Sequence, residues 1–211
     1  SLIEPDRVTL PQMLREQGYS TGCVGKWHIG LTFQTRDGQP VHAAKVEDTN
    51  KEVARIKLID FSKPITDGPV HRGFDYFFGT ACCPGTDWLY AYIENDRVPV
   101  PPDRLLDASR LPKHPYANDC RRGLVAPGFD HELLDLVFLD KSRQWLEQHV
   151  QREPKRPFFL YHSMHAVHLP SFAAPQFKGQ SNAGPHGDFI LELDFIVGEL
   201  VATLKKLGVA D

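Results

Sequence analysis

Four apolar residues in a row, Phe158-Phe159-Leu160-Tyr161, stand between two long stretches of helical periodicity. A short strand that is apolar throughout is at home in a parallel sheet covered on both faces, so these residues are predicted at the centre of one. Upstream, His131 to Gln151 carries Leu134, Val137, Lys141 and Trp145 roughly along one side. Leu133, Leu136 and Leu139 broaden that face, and Pro154 ends the helix. Downstream, Gly187 to Leu207 places Ile190, Leu193, Val197, Leu200, Val201 and Leu204 at helical spacing, with Gly208 as its stop and Asp188 near its positive end. An earlier helix is signalled by Thr9 as N-cap, Pro11 in the first turn, an apolar stripe of Leu10, Met13 and Leu14, and Gly18 as terminator. A strand from Ser20 to Val24 follows it. Helix, strand, helix, strand, helix in this order implies an α/β sheet with right-handed crossovers.

A chain of 211 residues buries one substantial core, and one domain is expected. A formal net charge of -3 gives no basic face for a nucleic acid, and no run of about 18 apolar residues predicts a membrane span. The first residues lack both an initiator Met and a signal-peptide pattern, so the N-terminus reads as cut. Four cysteines, at 23, 82, 83 and 120, make no disulfide framework. Cys23 reads as a small core residue, and Cys82 and Cys83 are adjacent rather than a CxxC pair. Two weakly periodic stretches, about 31–65 and 99–128, read as surface insertions. Asp48 to Ile59 fits a helix or a strand pair, and His114, Asn118, Arg121 and Arg122 are polar candidates for lining a cleft.

Chemistry gathers in Gly18-Tyr19-Ser20-Thr21-Gly22-Cys23-Val24-Gly25-Lys26-Trp27-His28-Ile29-Gly30. Lys26 and His28 stand on alternate residues of an extended segment and project to one side, an arrangement that suits an oxyanion. Taken alone, the stretch equally describes a surface turn with a solvated lysine. After the apolar strand come His162, His165 and His168. Their spacing of three would align them only on a helix, which Pro170 interrupts, so packed or supporting roles are expected for two of them rather than a transition-metal site. Loops at the carboxyl ends of strands hold the ligands of open α/β sheets, which favours a functional role for one.

The order helix, Gly-Tyr-Ser-Thr, apolar strand, Gly-Lys-Trp-His-Ile-Gly resembles the second signature of the sulfatase family, within the alkaline-phosphatase-like superfamily. His71-Arg72-Gly73-Phe74-Asp75-Tyr76-Phe77-Phe78-Gly79 is similar to a segment of bacterial arylsulfatases, and Tyr92 to Val98 to a hairpin there. Pro157 to Tyr161 with His168-Leu169-Pro170 resembles the strand whose closing His-x-Pro faces the scissile ester oxygen.

The resemblance implies a sandwich with a mixed, mostly parallel sheet flanked by helices, incomplete at both ends, in which 1–211 is the central part of one catalytic domain. It implies a sulfuric ester hydrolase in which Lys26 clamps a sulfate oxygen, His28 bonds the nucleophile's hydroxyl, and His168 serves the leaving alcohol; Lys26 and His168 would also bind substrate. A formylglycine nucleophile and calcium (or magnesium) on Asp-Asp and Asp-Asn pairs would come from outside the chain, leaving no metal held by these residues. Cys82-Cys83-Pro84-Gly85-Thr86 has Thr86 where the family's nucleophile motif needs Arg, so it is read as a decoy. The chain alone is therefore expected to be inactive, with a sheet edge open to self-association. The substrate would be a sulfated small molecule or glycan, and family resemblance favours a periplasmic or secreted protein. A phosphodiesterase or phosphonate hydrolase of the same superfamily, or a non-catalytic binding domain derived from the fold, are the alternatives.

Overall fold

The computed structural model describes residues 2–43, 50–118 and 120–210. Part of the stretch from Asp48 to Ile59 lies outside them; the rest contains the helix α2 (Asn50–Ile56). The first helix, α1 (Leu10–Glu16), starts where its cap signals place it, with the Thr9 hydroxyl accepting from the Gln12 amide. Its expected apolar stripe is not a core stripe, because Leu10 and Met13 are exposed and Pro11 is the residue buried.

The main sheet has four strands in the order β6 (Ile93–Glu94), β4 (Tyr76–Thr80), β1 (Ser20–Lys26), β9 (Phe158–Ser163). Strand β1 pairs in parallel with both β4 and β9, and β4 pairs antiparallel with β6, so the sheet is mixed and mostly parallel as expected. Its central strand is not the one the apolar run suggested. Strand β9 stands at the end of the order and is half-buried, with Tyr161 exposed, whereas Ser20 to Gly25 of β1 are buried throughout. The difference has a simple cause: β1 has a strand on either side, and β9 bonds to β1 alone among the described residues.

Period-two alternation divides the core between the two faces of this sheet. Cys23 and Phe77 look into a large cluster with Trp27, Leu31, Phe33, Ile56, Ile59 and Trp88. Val24 and Phe78 look the other way, onto Leu134 and Phe138 of α3 (Leu134–Arg152). The buried face of α3 is thus Leu134, Phe138, Leu139, Ser142 and Leu146, rotated from the expected Lys141–Trp145 side, and Leu133 is exposed. In α4 (Gly184–Leu207) the same rotation leaves Ile190, Val197 and Val201 exposed and buries Phe189, Glu192 and Ile196. Asp188 does not cap its own helix; its carboxylate accepts from the Gly179 and Ser181 amides at 2.8 Å each.

Of the two expected insertions, the first contains a strand pair, β2 (Thr32–Phe33) with β3 (Val41–His42). The second contributes β7 (Arg104–Leu105) and β8 (Leu124–Val125), which form a small sheet with β5 (Leu89–Tyr90) from the segment before it. The end of β1 is packed so closely that side chains are excluded. Gly25 has φ 122° and a Cβ there would lie 1.9 Å from the Ser163 carbonyl oxygen, while a Cβ on Gly79 would lie 1.7 Å from that of Gly25.

Candidate active site

Because β1, β4 and β9 run in parallel and in register, Lys26 beside Thr80 and Gly25 beside Ser163, their carboxyl ends open onto one place. Three loops meet there: the turn after Lys26, the segment after Thr80 and the His-rich loop after Ser163. The ladder between β1 and β4 continues past the formal strand ends, with the Trp27 amide donating to Thr80 and the His28 amide to Ala81. His28 then takes φ 54°, turning the chain away.

All three residues read from the sequence as the chemical group are brought together, and they meet on a side chain the sequence did not single out. The Cys83 sulfur lies 3.4 Å from Lys26 Nζ, 3.3 Å from His28 Nδ1 and 3.6 Å from His168 Nε2. Cys83 is buried beneath them, while His28 and His168 are exposed at the surface. Burial, then the Lys26 charge, then His168 push the His28 pKa down, so its ring is held toward the neutral form. His168 Nδ1 sits 2.5 Å from the Leu169 carbonyl oxygen. A carbonyl can only accept, so Nδ1 carries a proton and Nε2 is the nitrogen that faces the cluster.

Behind this surface lies a buried carboxylate. Asp135 of α3 accepts from the His165 and Ala166 amides at 2.7 and 2.9 Å, which fixes the start of the loop that carries His168. Burial pushes its pKa up to about 6 against the opposing pull of those two bonds and of Lys26. The other two histidines go elsewhere. His162 shares a bond between Nδ1 and the Ser142 hydroxyl at 2.7 Å. His165 is buried with no hydrogen-bond partner on either ring nitrogen among the described residues, its pKa pushed down to about 3 by burial and then by His168. No group of three or more histidine, cysteine, aspartate or glutamate side chains is arranged to hold a metal among the described residues. An ammonium, two imidazoles and a thiol are also the wrong donors for calcium or magnesium, which take oxygen.

Of the polar residues expected to line a cleft, His114, Asn118 and Arg121 are engaged elsewhere. His114 and Asn118 make local turn bonds, to the Tyr116 amide and the Pro115 carbonyl. Arg121 receives the Tyr90 hydroxyl on its carbonyl and places its charge toward Asp87. Cys82 is buried, and burial and Asp87 push its thiol far up, away from nucleophilic use. Cys83 and Asp135 were missed. The available signal for Cys83 was its place just past a strand parallel to β1, where a side chain shares the ligand end of the sheet.

The family model described as Sulfatase matches residues 2–211. An N-acetylgalactosamine-6-O-sulfatase of Bacteroides thetaiotaomicron is 28% identical over 229 aligned positions, covering 100% of this chain and 42% of that protein. Arylsulfatase A of Bos taurus is 30% identical over 203 positions, covering 96% of this chain and 33% of its own length. A solved structure concerned with the metabolism of multiple glycosaminoglycans by Bacteroides thetaiotaomicron superposes with a TM-score of 0.71 at 25% identity, over 100% of this chain and 44% of the other. A sulfatase from Pseudoalteromonas sp. has a TM-score of 0.60 at 23% identity, over 96% of this chain and 35% of its own, which is a likeness of fold. The chain thus spans less than half the length of the relatives it matches.

Proposed function

The chain belongs to the sulfatase family, and from that premise we propose that it supplies the sulfate-facing half of the active site of a sulfuric ester hydrolase. The observation that carries this is the meeting of Lys26, His28 and His168 within 3.3–3.6 Å of one sulfur atom at the carboxyl end of the sheet. Lys26 pairs with a sulfate oxygen as a point charge. His28, held toward neutrality, accepts or returns the proton of the attacking hydroxyl. His168, with Nδ1–H fixed on Leu169, presents Nε2 to the leaving oxygen; a second proton there makes it the acid that the departing alkoxide needs.

The nucleophile, a formylglycine, and a divalent cation are assigned to the remainder of the protein, since Lys26, His28 and His168 are nitrogen groups and such a cation takes oxygen. The 211 residues are accordingly the central part of one catalytic domain. A sulfated sugar is the favoured substrate class, on the strength of the N-acetylgalactosamine-6-O-sulfatase relative. Residues 31–65 and 99–128 are the segments assigned to substrate choice. The cell compartment proposed is periplasmic or extracellular.

The test is hydrolysis by the complete protein of an aryl sulfate, a sulfated N-acetylhexosamine and the matching phosphate esters. Sulfate turnover is expected to exceed phosphate turnover, and Lys26→Ala or His168→Ala to cost about 10²-fold or more in rate. Phosphate turnover above sulfate turnover, or near-normal rates in both variants, overturns the reading.

A further inference from the structure

Nothing in the roles of Lys26, His28 and His168 explains why the point on which they converge is a thiol. A sulfhydryl has one weak donor and a sulfur that weakly accepts. Each is matched by a neighbour here. The Lys26 ammonium donates to the sulfur, and the neutral ring of His28 offers Nδ1 to the S–H. His168 Nε2, once protonated, donates to the sulfur from the other side. The thiol itself is held rigidly. Its backbone carbonyl accepts from both the Thr86 and Asp87 amides, at 3.1 and 2.9 Å, which closes a turn immediately after β4. Before it, the Thr80 hydroxyl donates to the Cys82 carbonyl at 2.9 Å. Cys83 is only 3% exposed, so water does not compete for its sulfur.

The geometry points to Cys83 as the positioning residue of the anion pocket: a buried, turn-locked thiol that holds one ammonium and two imidazoles at a common centre before substrate arrives. The inference rests on the sulfate-ester reading for what the pocket binds. Lys26 has a long flexible side chain and both imidazoles are on exposed loops, His168 tied at Nδ1 to the Leu169 carbonyl, so a shared partner is what brings Lys26 Nζ, His28 Nδ1 and His168 Nε2 to one point. A pocket assembled in advance spends less of the ligand's binding energy on ordering side chains. Cys83 itself forms no bond to substrate in this scheme and takes no proton from it. Its effect is on where the other three stand.

The probe is inorganic sulfate, and the readouts are its affinity and the proton NMR titration of the His28 and His168 rings in the complete protein. Cys83→Ala is expected to weaken sulfate binding about tenfold, the scale of one lost hydrogen bond to a charged group. It is also expected to move the titration of both rings while leaving that of the remote His149 in place. Cys83→Ser keeps a donor and an acceptor at the same position and is expected to bind sulfate within about threefold of the native protein, a rescue that a packing role alone does not give. Should Cys83→Ala not fold, Cys83→Val fills the buried volume without hydrogen bonds and carries the same expectation. Native sulfate affinity and unchanged ring titrations in the alanine or valine variant overturn the proposal. Failure of serine to restore binding also overturns it. Sulfate binding needs no turnover: a protein whose sulfate affinity depends on Cys83 but which hydrolyses no ester refutes the catalytic reading and leaves this one standing. Hydrolysis that is indifferent to Cys83 does the reverse.

Discussion

Glu192 should make this fold less stable as the pH rises, and replacing it by glutamine should remove that loss. The side chain is fully buried on α4. One oxygen, Oε2, accepts from the Ala174 amide at 2.8 Å, and Oε1 has no partner among the described residues. Burial first, then the negative fields of Asp135 and Glu132, raise its pKa from 4.5 to about 8, with the Ala174 bond opposing. Between those two values the folded chain holds a proton that the unfolded chain has lost. Stability from this group is therefore fully present below pH 4.5 and drains away as the pH climbs through 8. Each pKa unit is worth about 1.4 kcal/mol, so a shift from 4.5 to about 8 sets a ceiling on the order of 5 kcal/mol.

Glutamine has nearly the same shape, keeps an oxygen for the Ala174 amide, and cannot ionise. Urea unfolding of both chains at pH 5, 6, 7 and 8 isolates the effect as a difference. That comparison is necessary because other groups add their own slopes. Asp135, raised to about 6, lowers stability as the pH rises above 3.8, whereas His131 and His162, lowered to about 4, raise stability up to pH 6.5. Glu192→Gln should match the native chain at pH 5 to within about 1 kcal/mol and exceed it by at least about 2 kcal/mol at pH 8. Two parallel stability curves would show that Glu192 is already ionised in the folded protein, and the burial argument would be wrong.

Two further changes test how the site is held. Gly25→Ala places a methyl 1.9 Å from the Ser163 carbonyl oxygen at a φ of 122°, so β1 and β9 must part; destabilisation above about 3 kcal/mol in urea unfolding is expected, and a native-like midpoint would contradict the close approach. Asp135→Ala strips the acceptor from two buried amides, at a cost of about 2–4 kcal/mol, and should weaken inorganic sulfate binding in parallel because the His168 loop loses its anchor; unchanged binding in a folded variant would detach that loop from Asp135.

The elements of the fold were legible where the chain carries local signals. Thr9 and Gly18 bracket α1 and Gly208 stops α4 as the sequence suggests, although α4 begins at Gly184 rather than Gly187, and the stretches at 20–24 and 158–161 are both strands. Strand order was not legible, for a reason particular to Phe158–Tyr161. An apolar run is a rule about covered faces; it carries no information on which edge of the strand has a neighbour. The same gap rotated the buried faces of α3 and α4. Asp135, Ser142 and Glu192 are polar by type and buried by position, each bonded to a backbone amide or a histidine. A hydrophobic-spacing rule assigns such positions to the solvent side and turns the helix by the error.

The site followed the opposite logic. Lys26 and His28 were legible because alternate residues leaving a strand face one way; the strand-end rule pointed to one histidine after Phe158–Tyr161, and the resemblance of His168-Leu169-Pro170 selected which. Both readings concern strand ends, and the two strands involved, β1 and β9, are parallel and in register. The same reasoning, applied to β4, leads to the residues just beyond Thr80, and Cys83 is where it arrives. What hid Cys83 was its company: next to Cys82 and ahead of Pro84, it reads as half of a failed motif. In the folded chain the two thiols part, Cys82 toward Asp87 on one side and Cys83 toward three cationic or basic side chains on the other. The bend after Thr80 and the turn closed on the Cys83 carbonyl send the two thiols to different partners, so the neighbour that looked like a duplicate is the one that meets Lys26, His28 and His168.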